Sequence, residues 1–181
     1  LLLEGQRTNL VTYSEDFSNA DWSKGGSSVT SGFTSPDGTA NAYKLVEDTS
    51  TGVHSLSAIY ASSQTGYKTW SICAKAGERN WFVINAYYGG DYKTYFDLTN
   101  GIVGTTGSGV VADIKAFPNN WYRISIKVSC ISTFSNNGIE IITANADNSN
   151  SYTGDGTSGV HIFGAQVEQG SYPTSYIPNY G

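Results

Sequence analysis

The sequence predicts an all-β fold, a two-sheet antiparallel β-sandwich of the jelly-roll kind, and three observations carry that prediction. Eleven Val and thirteen Ile stand against seven Leu and no Met. β-Branched residues suit strands, whereas unbranched ones favour helices. Turn signals recur at short intervals: Lys24-Gly25-Gly26, Ser35-Pro36-Asp37-Gly38, Tyr88-Gly89-Gly90-Asp91, Thr99-Asn100-Gly101, Phe117-Pro118-Asn119-Asn120, Asn136-Asn137-Gly138 and Gly154-Asp155-Gly156. That spacing is the signature of a sandwich or barrel. No stretch repeats its apolar residues with the 3.6-residue period of a helix.

Between the turns lie short runs rich in Val, Ile, Thr and aromatics, and each predicts a strand. In order they fall near residues 9–13, 27–33, 42–46, 53–60, 68–75, 81–88, 94–97, 110–117, 121–132, 138–145 and 160–167. Asn100-Gly101 predicts a β-hairpin, because this pair tolerates the positive φ of tight turns. Alternation then assigns faces. In the 121–132 strand, Tyr122, Ile124, Ile126, Val128 and Cys130 share the core face. Trp121, Arg123, Ser125, Lys127 and Ser129 share the other, which carries two cations. In 68–75, Trp70, Ile72 and Ala74 face in, and Thr69, Ser71, Cys73 and Lys75 face out. In 81–88, Phe82, Ile84 and Ala86 face in, leaving Trp81, Val83, Asn85 and Tyr87 outside. Trp22 and Trp70 are read as core. Cys73 and Cys130 point to opposite faces, which argues for two free thiols over a disulfide.

Composition excludes several functions. The chain has 181 residues, a net charge of −5 and a pI near 4.8. An acidic surface of this kind argues against nucleic acid as a partner. The apolar runs are too short to span a bilayer, so a membrane is not an expected partner either. Two His and two Cys leave little for a zinc site. We expect one sandwich domain over residues 1–181, excised from a longer polypeptide.

Five segments carry a family resemblance. They are Glu4-Gly5-Gln6-Arg7-Thr8-Asn9-Leu10 running on to Trp22, Lys75-Ala76-Gly77-Glu78-Arg79-Asn80-Trp81, Tyr95-Phe96-Asp97-Leu98, Asn120-Trp121-Tyr122-Arg123, and the closing stretch from Ser151 to Pro178. Together they resemble a domain of bacteriophage tail and structural proteins, itself similar to concanavalin-like and jelly-roll carbohydrate-binding modules. The resemblance implies a jelly roll with its terminal segments paired near one end. It implies a virion or extracellular location, a poly- or oligosaccharide ligand, and neighbouring domains or subunits of a virion protein, a homotrimer among them. No cofactor is required. The opening is also similar to modules that hold a structural calcium between that opening and the last strand. This implies Asp16, or Glu15 beside it, with Glu168 as hard oxygen ligands for calcium here.

The candidate binding residues are an aromatic group with polar partners. Tyr and Trp offer a flat apolar face with a polar edge, which suits the C–H face of a sugar ring. Trp81, Tyr87, Tyr88, Tyr92 and Tyr95 are dense around Gly89-Gly90-Asp91. Trp81, Asn85, Tyr87, Tyr88 and Tyr92, with donors from Lys75 and Arg123, are the expected carbohydrate-binding set. Tyr-rich β proteins also use Tyr for cross-strand pairs and subunit contacts, so a structural or assembly domain is the alternative. A glycanase would need two carboxylates flanking the bond. Asp113 and Glu140 are the candidates, both at outward strand positions. His54 and His161 have no neighbouring pattern of a nucleophile, so no enzyme activity is expected. The prolines of Tyr172-Pro173-Thr174-Ser175-Tyr176-Ile177-Pro178 predict an extended segment along the sandwich edge.

Overall fold

A computed structural model describes residues 4–62, 64–88, 90, 92–131 and 137–181. The strands run in order β1 (Trp22–Gly25), β2 (Ser27–Phe33), β3 (Ala42–Glu47), β4 (Thr51–Val53), β5 (Ser55–Tyr60), β6 (Gly66–Ala76) and β7 (Trp81–Tyr88). They continue with β8 (Thr94–Asp97), β9 (Ile102–Thr106), β10 (Val111–Phe117), β11 (Trp121–Cys130), β12 (Asn137–Ala144), β13 (Ser151–Thr153) and β14 (Gly159–Gln169). Two six-stranded antiparallel sheets face each other. The first has the order β1-β5-β12-β7-β8-β9 and the second β10-β11-β6-β14-β3-β2; β4 and β13 form a small ribbon. Among the described residues the helical structure is one 3₁₀ turn, Pro118–Asn120. The all-β sandwich expected from the sequence is therefore the observed fold.

The core lies between the sheets, and the assigned faces supply it. Ile124, Ile126, Val128 and Cys130 of β11, with Trp70 and Ile72 beside them on β6, share one core with Phe82, Ile84, Ala86 and Tyr88 of β7. The Trp70 indole N–H donates to Gly138 O at 2.9 Å, which ties the second sheet to the first. Trp22 is buried and donates to Tyr13 O. Both cysteines are buried free thiols, and burial pushes the Cys73 thiol up to about 11. A few inward residues break the apolar pattern, Lys68 among them. Lys68 is fully buried, with its ammonium donating to Gln64 O at 2.7 Å and lying 4.9 Å from the Tyr88 ring centre.

Several expectations need correction. Residues 9–13 do not form a strand. The Asn9 amide takes over the pairing: its Oδ1 accepts from the Val11 and Val167 amides, and its Nδ2 donates to Ala165 O and Ile177 O. Tyr13 then sits at φ +50, outside any strand geometry. The predicted 53–60 strand divides at His54, whose buried ring turns in to Gly26 O and Tyr152 O. Strands β1 and β13 were not predicted, and β9 was implied as the second arm of the Asn100-Gly101 hairpin. The 121–132 strand ends at Cys130; Ser132 lies outside the described residues, as do Gly89, Asp91 and Asn136 of the predicted turns. The hairpin at Asn100-Gly101 is present, but it joins Asp97 to Ile102 through four residues, with Gly101 alone at positive φ. Asp97 organises it by accepting from the Thr99 and Asn100 amides and the Asn100 side chain.

A recurring Asp-x-Ser/Thr turn shapes four of the connections. At Asp16, Asp37, Asp48 and Asp155 the carboxylate accepts from both the amide and the hydroxyl two residues on. These side chains mimic a backbone turn and close the connections.

The termini meet as the resemblance implied. Leu10 N donates to Val167 O at 2.8 Å and Ala165 N to Ser14 O at 3.0 Å. The opening segment thus takes the place beside β14 that β3 holds further back. Close packing also has a testable point at Gly159, where a Cβ would overlap the Leu45 carbonyl oxygen on the neighbouring strand. Gly159→Ala should cost about 1–3 kcal/mol in a thermal melt.

Candidate functional site

The outer face of the first sheet holds the first part of the expected set. Alternation along β7 points Trp81, Val83, Asn85 and Tyr87 outward, as read from the sequence. Register places Ile59 of β5, Gly138 of β12 and Tyr87 of β7 in one row across three strands. The next row is Ser57, Glu140 and Asn85. Ile59 is 59% exposed and Tyr87 37%. Between them Gly138 has no side chain, and a Cβ there would press on Ile59. The glycine leaves a flat apolar floor, with Tyr87 at one end and Ile59 at the other.

The polar row is fixed in place. The Asn85 amide donates to Glu140 Oε2 at 3.0 Å, and Asn85 Oδ1 accepts the Tyr92 N–H at 3.0 Å. Both side chains are largely buried, so the pair is held against the sheet and cannot swing freely. Apolar floor, carboxylate and amide side by side are groups that can stack on a sugar ring and bond its hydroxyls.

The other half of this face is covered. Val83, Tyr95, Ile142 and Ala144 form a second buried cluster, with Trp81 packed against it. Asp147 bonds both the amide and hydroxyl of Thr105, and it meets Trp81 over Gly104. Trp81 is therefore half-buried beneath that loop. Tyr92 enters the site through its backbone; its ring packs towards the main core. Tyr88 is 3% exposed and belongs to the core, as its inward place beside Phe82, Ile84 and Ala86 dictates.

Lys75 and Arg123 are not brought to this face. They lie on β6 and β11, on the outer face of the second sheet. Lys75 lines a recess of about 340 Å³ with Leu98, Asn120 and Tyr122, and Arg123 donates to Ser71 Oγ at 3.3 Å. Sequence alternation separates in from out, but it does not say which sheet a strand joins.

The implied calcium ligands do not converge either. Asp16 bonds Ser18 and the Tyr43 hydroxyl, and Tyr43 is paired with Ile162. The Ser18 hydroxyl holds the Asp16 carboxyl below its usual range. Glu168 is buried six residues further along β14, about 20 Å at strand rise, where it accepts from the Thr174 amide and hydroxyl and faces Arg7. Among the described residues no group of three or more His, Cys, Asp or Glu is placed to hold a metal. The donor set does not fit calcium at Asp16 and Glu168.

The carboxylates considered for catalysis are apart. Glu140 faces out from the first sheet and Asp113 from the second, where it pairs with Lys115 at 3.4 Å. Two sheets stand about 10 Å apart, so outward groups exceed the roughly 5–9.5 Å that flanks a glycosidic bond. His161 lies against Phe33 at 4.6 Å between ring centres. Burial, with Lys75 and Lys44 nearby, pushes its pKa down.

No family model matches the chain, and no curated protein matches it. Solved structures do. The enzymatically active domain of tailspike protein 4 from bacteriophage CBA120 is 12% identical with a TM-score of 0.55, over 88% of this chain and 21% of that one. The CBM22-1–GH10 modules of Clostridium thermocellum endo-1,4-β-D-xylanase 10B, complexed with xylohexaose, are 16% identical with a TM-score of 0.51, over 93% of this chain and 29% of that one. A CBM35 from Cellvibrio japonicus Abf62 is 14% identical over 97% of this chain and the whole of that one, with a TM-score of 0.46. The chain spans less than a third of the tailspike and xylanase chains. At these identities the likeness is one of fold, a two-sheet β-sandwich.

Proposed function

We propose that the chain is a non-catalytic carbohydrate-binding module that recognises a poly- or oligosaccharide on the outer face of its first sheet. The observation that carries this reading is the open floor of Ile59, Gly138 and Tyr87 lying directly beside the fixed Asn85–Glu140 pair. Tyr87 stacks on a sugar ring, Glu140 and Ser57 bond its hydroxyls, and the buried Asn85 holds Glu140 in place. The fold likeness to a chain of CBM22-1 and GH10 modules solved with xylohexaose supports a sugar ligand. The separation of Asp113 from Glu140 supports binding without hydrolysis.

The wider setting belongs to the same proposal. The likeness to a tailspike and the resemblance to phage tail domains support a virion protein that attaches to bacterial surface glycans. Weak single sites would gain avidity from trimeric or other multivalent display. A glycan array probed with the folded protein at high density tests the reading. Binding to a defined set of glycans is the expected result. Binding to none, together with an oligomer that buries Ile59 and Tyr87 against a neighbour, would replace it with an assembly domain.

A further inference from the structure

The outer face of the second sheet has a different chemistry. In a chain of net charge −5, it gathers cations. Register places Lys115 of β10 directly opposite Arg123 of β11, and Lys127 opposite Val111 on the same face. Thr69 and Ser71 of β6 continue these rows beside Lys127 and Ser125. Like charges facing each other across a strand pair weaken the sheet. Asp113 offsets Lys115 alone, through an exposed pair.

The cations stand beside rings and hydroxyls. Lys127 Nζ lies 5.1 Å from the centre of the Tyr67 ring, and Arg7 lies 5.1 Å from that of Tyr172. Both rings are about half exposed. A recess of about 190 Å³ opens beside Tyr172, lined by Lys115, Lys127, Thr69 and Ser125, with Asp113, the partner of Lys115, also on its wall. A planar guanidinium takes a carboxylate or phosphate through two parallel bonds. A tyrosine ring takes the apolar face of a sugar.

We propose that this face binds an anionic polysaccharide, with Arg123, Lys127 and Lys115 meeting its charged groups and Tyr67 and Tyr172 its ring faces. The site is distinct from the floor around Tyr87, and it stands whether or not that floor binds a sugar. The overall negative charge works against unspecific polyanions, so the anion must arrive on a ring that the tyrosines can stack.

Titration calorimetry tests this with polygalacturonate for carboxylate, chondroitin sulfate for sulfate, and dextran as the neutral control. Duplex DNA and polyglutamate serve as anions without stackable pyranose rings. One or both acidic polysaccharides should bind, and binding should weaken as salt rises. The Arg123→Ala/Lys127→Ala double variant should lose at least tenfold in affinity with an unchanged far-ultraviolet spectrum. Lys115→Glu, at a well-exposed position, should lose affinity too. Tyr87→Ala should bind the acidic polymer as the parent does, which separates this site from the first. Binding of the Tyr87→Ala variant to dextran, to DNA or to polyglutamate as tight as to the acidic polysaccharides would overturn the proposal. So would parental affinity in both charge variants, or failure of both acidic polysaccharides to bind.

Discussion

Replacing Arg79 by Ala should lower the unfolding free energy by about 3–5 kcal/mol, because it strands a buried carboxylate. Arg79 holds Glu47 through two bonds of 2.8 and 2.6 Å. Glu47 is buried and also accepts from the Tyr152 hydroxyl at 2.7 Å and the Asp155 amide at 2.9 Å. These contacts join the end of β3 to the turns before β7 and β14. Burial alone would raise the Glu47 carboxyl; Arg79, Tyr152 and Asp155 outweigh it and hold the group below its ordinary value. The pair therefore stabilises the fold above the ordinary carboxylate pKa, and that contribution fades as pH falls through the folded-state value. Protonated Glu47 needs no cation, so the gap between parent and variant should narrow in acid. Denaturant melts from pH 7 to pH 3 measure both effects. The exposed Lys115–Asp113 pair is the control: Lys115→Ala should change stability by at most about 1 kcal/mol.

Ile124→Ala should cost about 2–5 kcal/mol. Its side chain is wholly buried on β11 between the sheets, paired with Ile72 in register and packed in the main core. Removing three carbons there leaves a cavity that two opposed sheets cannot close. Tyr87→Ala, on the outer face of β7, should cost about 1 kcal/mol or less. If the Tyr87 variant melted far below the Ile124 variant, the assignment of faces would be inverted.

Much of this architecture was legible because alternation is a local property. The 81–88 and 94–97 strands agree in full with β7 and β8, and the inward residues of 121–132 are the observed core. The departures are long-range. Trp121 and Cys73 do point away from the main core, yet both are buried, because Phe33 and Tyr176 close over them from distant parts of the chain. Lys68 shares the face of Trp70, Ile72 and Ala74, and alternation alone would have placed it inside. Its charge is received there by Gln64 O and the Tyr88 ring. The candidate site divided for a similar reason. Asn85 and Tyr87 share one strand, so their common face was readable. Lys75 and Arg123 were known to face outward, but only strand order assigns them to the second sheet. Ile59 and Gly138, which complete the floor, become neighbours of Tyr87 through register across three strands, and no nearby residue signals it.

The central claim, that the first sheet's outer face holds a sugar through Tyr87, is tested most directly by one pair of isotherms. A neutral glycan retained on the array should be titrated into the parent and into Tyr87→Ala. The account predicts that the variant stays folded and loses about 1–3 kcal/mol of binding, by analogy with the loss of one aromatic stacking platform. A stable variant that binds the same glycan as tightly as the parent would contradict it.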